Sequence, residues 1–505
     1  MAPRVSDKTH APMLTIDWTS QDPAAAALQT LAVAIPGRDS APAVEQLFGA
    51  AIAQAAAAAR FRGRPGEQFR FTREQGGALQ TIVLLGVGAD PLTSGRWRTL
   101  AHAAVRAAID VGSEHLVLDL RQVVPLGAAI PATQLGNLLS QGLELGTYRY
   151  DRYIAEARRK PSTVKRVSVV GVDPAGNGGV HRGQEIAAAV ARARDLVNGP
   201  ANEVTPTHLA RFAADVVTRL EGTADIKLTV LEREDCEKLG MGSYLAVSLG
   251  SDQPPKFIHL QYTPRGESKG RVCLVGKGVT FDSGGLSIKP SDAMMGMKMD
   301  MAGAAAVLSA LEGAARIGAP WEVHAIVPAT ENMTGGGAYK LGDVLTASNG
   351  KTIEIDNTDA ECRLNIADAL VYAGKLQPTY TFDFATLTGA CIIALGPHIA
   401  GVMSRDDDLC AQWLAAGERA GEDAWRLPLP EVLKEQLKSP IADMRNTGER
   451  WAGAITAGLF LSEFTEGQRW VHVDIAGPAM VRKPFGVNDE GGSGYAVATI
   501  LEFLR

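Results

Sequence analysis

Short apolar segments alternate with helical patterns along most of this chain, and this alternation limits the fold more than any other feature. Residues Thr81–Gly88 form an apolar run that ends in glycine, which is typical of a buried strand. Arg96–Val111 has the spacing of an amphipathic helix, and His115–Leu120 and Val167–Val172 are two further apolar runs. Because strands and helices take turns along the chain, the sequence predicts an α/β layer fold.

The same alternation returns in the second part of the chain. Apolar runs predict strands at Arg271–Gly276, Glu322–Pro328 and Tyr380–Ala385, and Arg363–Lys375 has a helical pattern. The larger part is therefore expected to contain a central mixed sheet flanked by helices.

A long helical pattern, Val180–Val197, separates the two parts and follows the glycine-rich segment Asp173–Gly179, the best candidate for a linker. A chain of 505 residues also favours two domains over one. We therefore predict two α/β domains joined by a long helix. The predicted limits are residues 1–178 for an accessory domain, 179–200 for the linker helix and 201–505 for the domain that carries the chemistry.

The formal net charge is -6, which predicts no strong overall attraction to nucleic acid. The charge is uneven, however, because residues 1–175 contain 19 Lys and Arg against 15 Asp and Glu. An ordinary solvated surface explains this excess, and an accessory contact with a polyanion such as DNA is the alternative.

Cysteine use and hydropathy favour a soluble cytoplasmic protein. None of the five cysteines forms a Cys-x-x-Cys pair, which fits a reducing compartment. The N-terminus, Met1–Lys8, has no apolar signal core. Two runs without charge, Gln122–Leu143 and Phe384–Ser404, contain proline and glycine, so we expect buried elements with turns rather than membrane spans.

Three neighbouring clusters combine acids with cationic side chains: Lys277–Pro290, Met297–Met301 and Asn357–Leu364. Together they supply three aspartates, one glutamate, three lysines and one arginine. Carboxylates suit Mn²⁺ and Mg²⁺ and also accept Zn²⁺, whereas no His-x-x-x-His pattern supports a histidine-built zinc site. Four carboxylates could hold two metal ions that share ligands.

Simpler interpretations remain for single residues. An isolated acid is usually a helix cap or an ion-pair partner, and Asp359 lies just before a predicted helix, where it could act as N-cap. Two nucleotide-binding motifs fail. A P-loop at Gly276 would need glycine at Arg271, and a dinucleotide fingerprint at Gly86 would need glycine at Pro91.

The octapeptide Asn357–Leu364 resembles the signature Asn-Thr-Asp-Ala-Glu-Gly-Arg-Leu of the leucyl aminopeptidase (cytosol aminopeptidase) family. Lys277–Pro290 and Lys298–Gly303 are similar to two other segments of that family. The likeness runs from about Asp195 to the C-terminus, and the first part resembles the accessory domain only in general layout. It implies metal-dependent removal of an N-terminal residue, preferably leucine or another apolar residue, from peptides.

The resemblance also implies roles for single residues. Two divalent ions per subunit, Mn or Zn, would be bound, with Asp282 and Glu361 bridging them. Lys289 would polarise the scissile carbonyl, a role that suits a fixed cation. Arg363 would hold a bicarbonate, because an arginine fork matches a planar anion. The alternatives are a solvated Lys289 and an ion pair between Arg363 and a ligand acid. The implied metal ligands are Lys277, Asp282, Asp300, Asp359 and Glu361.

A lysine can bind a metal only as a neutral amine, and burial with a cation nearby would lower the pKa of Lys277 in that direction. The family further implies a homo-hexamer acting on peptide substrates. Another two-metal hydrolase, such as a phosphoesterase, and a DNA-binding role beside catalysis are the alternatives. The substrate contacts implied are Met297, Asn357, Thr386, Leu387 and Gly389.

One residue departs from the family pattern, because Cys362 stands where the signature has glycine. If that glycine needs a positive φ, cysteine would strain the backbone. If the position is an ordinary helix start, cysteine is tolerated. The thiol could also bind metal or become oxidised.

Overall fold

The chain divides into two compact units, Met1–Ala188 and Ala189–Arg505. The structure is a computed structural model that describes residues 13–19, 30–37, 40–75, 77–127 and 130–505. The predictions for Met1–Lys8, and for residues 128 and 129 of the run Gln122–Leu143, lie outside the described residues.

The first unit is an α/β layer built on a six-stranded sheet with the strand order β1-β6-β5-β2-β4-β3. All neighbours in this sheet are parallel except β3 and β4, which are antiparallel. Its strands and helices are β1 Thr15–Thr19, β2 Thr30–Pro36, α1 Ala41–Phe48, α2 Ala50–Ala58, β3 Gln68–Gln75, β4 Ala78–Gly88, α3 Ser94–Asp110, β5 His115–Asp119, α4 Ala132–Thr147 and β6 Arg166–Val170, with α5 Val180–Asn198 following.

The elements predicted for the first unit are present, with small changes at their ends. Strand β6 stops at Val170, two residues before the predicted end, because its neighbours β1 and β5 pair with it only as far as Val170. Most of the predicted linker segment Asp173–Gly179 is ordered as a helix. Its residues Pro174–Gly179 form a 3₁₀ helix, and a Cβ at Gly179 would lie only 1.9 Å from the carbonyl oxygen of Thr133. The predicted domain limits stay a prediction.

The second unit contains a nine-stranded mixed sheet, as predicted, with most of the remaining helices around it. Its elements are α6 Pro206–Leu220, β7 Asp225–Leu231, α7 Arg233–Lys238, α8 Gly242–Val247, β8 Lys256–Thr263, β9 Arg271–Gly276, β10 Gly278–Asp282, α9 Ser291–Met294, α10 Ala302–Arg316, β11 Glu322–Asn332, β12 Val344–Thr346, β13 Thr352–Glu354, α11 Cys362–Lys375, β14 Tyr380–Ala385, α12 Gly389–Leu395, β15 Ala400–Met403, α13 Asp407–Ala420, β16 Ala424–Arg426, β17 Met444–Arg445, α14 Gly453–Ser462, β18 Trp470–Asp474, β19 Met480–Val481, β20 Gly491–Gly492 and α15 Val497–Phe503.

The large sheet has the strand order β16-β15-β18-β14-β9-β11-β8-β7, and β10 pairs with β11. Its centre is parallel, because β18, β14, β9 and β11 run in one direction, while β8 and β7 pair antiparallel. Strand β11 continues four residues past its predicted end at Pro328, because β10 extends its parallel pairing as far as Asn332. In open α/β sheets, ligand sites form at the carboxyl ends of the parallel strands.

Helix α10 packs closely on this parallel centre. A Cβ at Gly303, in its first turn, would lie 2.0 Å from the carbonyl oxygen of Phe384 and 2.7 Å from the amide nitrogen of Lys277. Only glycine therefore allows the start of α10 to touch the ends of β9 and β14. Within the described part of the chain, no helix has both the length and the apolar character that crossing a bilayer requires.

Candidate metal centre

The five residues predicted as metal ligands converge at the carboxyl edge of the parallel strands. Lys277 lies between β9 and β10, and Asp282 is the last residue of β10. Asp300 lies two residues before α10, and Asp359 and Glu361 lie in the segment that leads into α11. The three sequence clusters thus meet at one place, although the third lies more than 50 residues further along the chain.

Two lysines link the four carboxylates by ion pairs. Lys277 Nζ lies 2.6 Å from Asp300 Oδ2 and 2.8 Å from Glu361 Oε1. Lys289 Nζ lies 2.9 Å from Asp282 Oδ2 and also pairs with Asp359 Oδ1. One oxygen from each of Asp282, Asp359 and Glu361 lies within 4.8 Å of the others, a spacing at which they could hold a metal ion. Four carboxylates against two ammonium groups leave the cluster negatively charged.

Burial strengthens this charge conflict. Lys277 is 2 % exposed and Glu361 is 1 % exposed. Burial raises the pKa of Glu361 to about 8, and Asp282 adds to the rise. Burial also raises the pKa of Asp300 to about 6, although Lys277 opposes it. A group of buried acids that are difficult to ionise binds cations readily, because a cation relieves the repulsion between them.

Two opposing effects act on the pKa of Lys277. Burial alone would lower it, but the surrounding negative charges, led by Asp300, raise it well above its ordinary value. The lowering predicted for Lys277 as a ligand requires a metal cation beside the amine, and it stays a prediction. Lys277 Nζ thus forms ion pairs with two of the acids.

Hydrogen bonds from Asn332, which the sequence analysis did not select, and from Thr386, which it selected only as a substrate contact, hold two of these acids in place. Asn332 Nδ2 donates to Asp282 Oδ1 at 2.8 Å, and Thr386 Oγ1 donates to Asp300 Oδ1 at 2.6 Å. The amide of Gly284 also donates to Asp282 Oδ1 at 2.9 Å. Gly284 has a φ of +86° and Gly285 a φ of +61°, so this loop favours glycine at both positions. This glycine pair was the one sequence signal that pointed to a tight turn here.

Arg363 lies in the first turn of α11 and is 8 % exposed. Its Nε is buried without a hydrogen-bond partner, and no acid among the described residues pairs with it. Arg363 thus makes no ion pair with a ligand acid in this structure, although the charge of Glu361 acts on its pKa from nearby. Burial lowers the pKa of Arg363, yet a guanidinium stays charged under ordinary conditions. A buried cation without a partner, next to helix N-terminal amides, fits an anion-binding position.

The start of α11 also settles two smaller questions. Asp359 is not the N-cap, because the helix begins at Cys362 and Glu361 occupies the N-cap position without a capping hydrogen bond. Cys362 is the first helical residue and does not have a positive φ, so this position does not need glycine. Its thiol is 3 % exposed, and burial raises its pKa well above the ordinary value, which disfavours a reactive thiolate.

Most of the predicted substrate contacts lie around this cluster. The amide of Asp359 donates to Asn357 Oδ1 at 2.8 Å, and Lys277 Nζ donates to the carbonyl oxygen of Thr386 at 3.3 Å. Leu387 follows directly, and its amide donates to Asp474 Oδ1 at 3.2 Å. The two remaining residues are Met297, whose carbonyl oxygen accepts from the amide of Asp300 at 3.4 Å, and Gly389, the first residue of α12.

Comparison with known families gives matches to both units. The description "Cytosol aminopeptidase family, catalytic domain" matches residues 191–501, and "Cytosol aminopeptidase family, N-terminal domain" matches residues 36–157. A probable cytosol aminopeptidase of Picosynechococcus sp. is 43% identical over 92% of this chain and 92% of its own length. A second, from Synechococcus sp. strain CC9605, is 45% identical over 94% of this chain and 96% of its own length.

Solved structures with similar folds point the same way. A tomato leucine aminopeptidase variant superposes with a TM-score of 0.89 at 35% identity, covering 99% of this chain and 97% of its own. The bottromycin maturation enzyme BotP, in complex with Mn, has a TM-score of 0.83 at 37% identity and covers 95% of this chain and 99% of its own. The chain therefore belongs to the cytosol aminopeptidase family and is a metal-dependent aminopeptidase.

Proposed function

We propose that this chain is a two-metal aminopeptidase that removes an N-terminal residue, preferably leucine or another apolar residue, from peptides. The observation that carries the proposal is the cluster of two buried acids and the half-buried Asp359, in which oxygens of Asp282, Asp359 and Glu361 lie within 4.8 Å of one another. The names of the tomato leucine aminopeptidase and of the Mn complex of BotP support both the substrate and the metal.

The residues present fit two divalent ions. Asp282 and Glu361 would bridge the ions, Lys277 and Asp300 would complete one site, and Asp359 the other. The excess of buried carboxylates over ammonium groups is the physical reason, since added positive charge would relieve their repulsion. Oxygen ligands suit Mn²⁺ and also accept Zn²⁺. When bound, two such ions supply an acidified water and Lewis-acid polarisation of the substrate carbonyl.

The chain's own cations would do the remaining work. Burial acts to lower the pKa of Lys289, but Asp282 and its other acidic neighbours outweigh this effect. The pKa therefore lies above its ordinary value, which favours the protonated Nζ. Lys289 would donate a hydrogen bond to the oxygen of the scissile carbonyl as negative charge develops there. Arg363 would hold a bicarbonate, a proton acceptor at neutral pH, next to the reacting carbonyl. Lys277 would give up a proton when it becomes a ligand.

Substrate contacts, assembly and location belong to the same proposal. Met297, Asn357, Thr386, Leu387 and Gly389 would line the position of the N-terminal side chain. The homo-hexamer follows from the family, and exposed apolar side chains such as Ile393 at 89 % and Trp451 at 71 % exposure would be available for contacts between subunits. The five cysteines are free and buried, which supports a reducing, cytoplasmic location.

Hydrolysis of leucine p-nitroanilide by the whole chain, before and after chelation, tests the proposal. We expect activity to disappear on chelation and to return with Mn²⁺ or Zn²⁺. p-Nitrophenyl phosphate, tested under the same conditions, covers the alternative of a phosphoesterase. Full activity after exhaustive chelation, or turnover of the phosphate ester alone, would contradict the proposal. Salt-sensitive retention on DNA would support the accessory DNA-binding alternative.

A further inference from the structure

The loop that carries Asp359 has no regular secondary structure between β13 and α11, so its backbone polar groups need partners from elsewhere. One buried side chain supplies several of them. Asn446 Oδ1 accepts from the amides of Asp356 at 2.9 Å and Asn357 at 3.4 Å. Its Nδ2 donates to the carbonyl oxygens of Asn357 at 2.7 Å and Ala360 at 3.5 Å.

Strand pairing explains how Asn446 reaches a loop so far away in sequence. Strand β17 runs parallel to β13, with Ile353 opposite Met444 and Glu354 opposite Arg445. The next residue, Asn446, donates its own amide to the carbonyl oxygen of Glu354 at 2.9 Å. Its side chain is 0 % exposed, so water cannot replace the bonds that it makes.

We propose that Asn446 is a positioning residue that fixes the Asp356–Ala360 loop and thereby sets the affinity of the metal site completed by Asp359. This inference rests on the proposed two-metal function. Asn446 touches no carboxylate of the cluster and acts only through the backbone on both sides of Asp359. Outer residues of this kind typically change metal affinity by about 10–100-fold when they are replaced.

Calorimetric titration of the metal-free whole chain with Mn²⁺ tests the proposal. In Asn446→Ala, affinity should fall by about 10–100-fold at one of the two sites and less at the other, where Lys277 and Asp300 are ligands. Turnover of leucine p-nitroanilide should recover when Mn²⁺ saturates the weakened site, because the ligands themselves are intact. A general structural defect would instead weaken both sites together.

A matched control is Asn349→Ala, which removes one side-chain bond, to the amide of Lys351 at 3.2 Å, from the turn between β12 and β13. It should bind Mn²⁺ like the wild type. If Asn446→Ala does not fold, Asn446→Asp provides the measurement, because it keeps the acceptor atom and loses the donor. Two wild-type affinities in a folded Asn446 variant would overturn the proposal. A wild-type chain that binds no Mn²⁺ would instead overturn the proposed function together with it.

Discussion

Replacing Arg363 by methionine should stabilise the fold and impair the enzyme at the same time. The guanidinium is 8 % exposed, and its Nε has no hydrogen-bond partner. Leaving a buried polar group without a partner costs about 1–3 kcal/mol, and a buried charge costs more. Methionine fills a similar volume without that charge. We therefore expect the free energy of unfolding to rise by about 1–3 kcal/mol in bicarbonate-free buffer.

The effect on activity should have the opposite sign. If Arg363 holds the proton acceptor, its loss should lower kcat by about 10²–10⁴-fold and remove any response to added bicarbonate. Urea unfolding and turnover of leucine p-nitroanilide, each with and without bicarbonate, measure both effects. Arg469→Met is the control, because Arg469 is exposed and paired with Asp406 at 2.6 Å. The reasoning fails if Arg363→Met is less stable than the wild type, or if it keeps a bicarbonate response.

Three further substitutions test other parts of the structure. Burial raises the pKa of Glu144 to about 7 from an ordinary 4.5. As pH rises, the unfolded chain therefore loses this proton before the folded chain does. The free energy of unfolding consequently falls between pH 4.5 and about 7. Glu144→Gln should therefore raise the free energy of unfolding by about 3 kcal/mol at pH 8 and hardly at all at pH 4, as measured in urea. Cys362→Gly should lower stability by about 1 kcal/mol and leave turnover unchanged, and faster turnover would show that cysteine does strain the site. Gly303→Ala should cost about 1–3 kcal/mol or more in urea, whereas Gly336→Ala, with open space around its Cβ, should not.

The main elements of the second unit could be predicted because they are long and apolar. Strand β9 spans its predicted residues Arg271–Gly276, and α11 begins one residue before the predicted Arg363. The acidic residues of the site could be selected as well, since they cluster in sequence next to glycines and lysines. Pattern and composition are local properties, so a single sequence contains them in full.

The supports of the site could not be predicted in the same way. Asn332 and Asn446 are single amides without any surrounding pattern, and each acts on a segment distant in sequence. The unpaired state of Arg363 could not be predicted either, because only the fold shows that no acid forms an ion pair with it. The capping role considered for Asp359 was also wrong. The helix begins at Cys362, so the N-cap position falls on Glu361 and not on Asp359.

The order of the parallel strands explains why the site forms where it does. Lys277 follows β9 and Thr386 follows its neighbour β14, and the amide of Lys277 donates to the carbonyl oxygen of Phe384 at 3.0 Å. Neighbouring strands lie about 4.8 Å apart, a gap that one ammonium or carboxylate side chain can bridge. Because successive side chains point to opposite faces of a sheet, a slip of one residue in β9 would turn Lys277 away from Asp300. The register of β9 therefore matters to the candidate metal centre as much as the identity of its ligands.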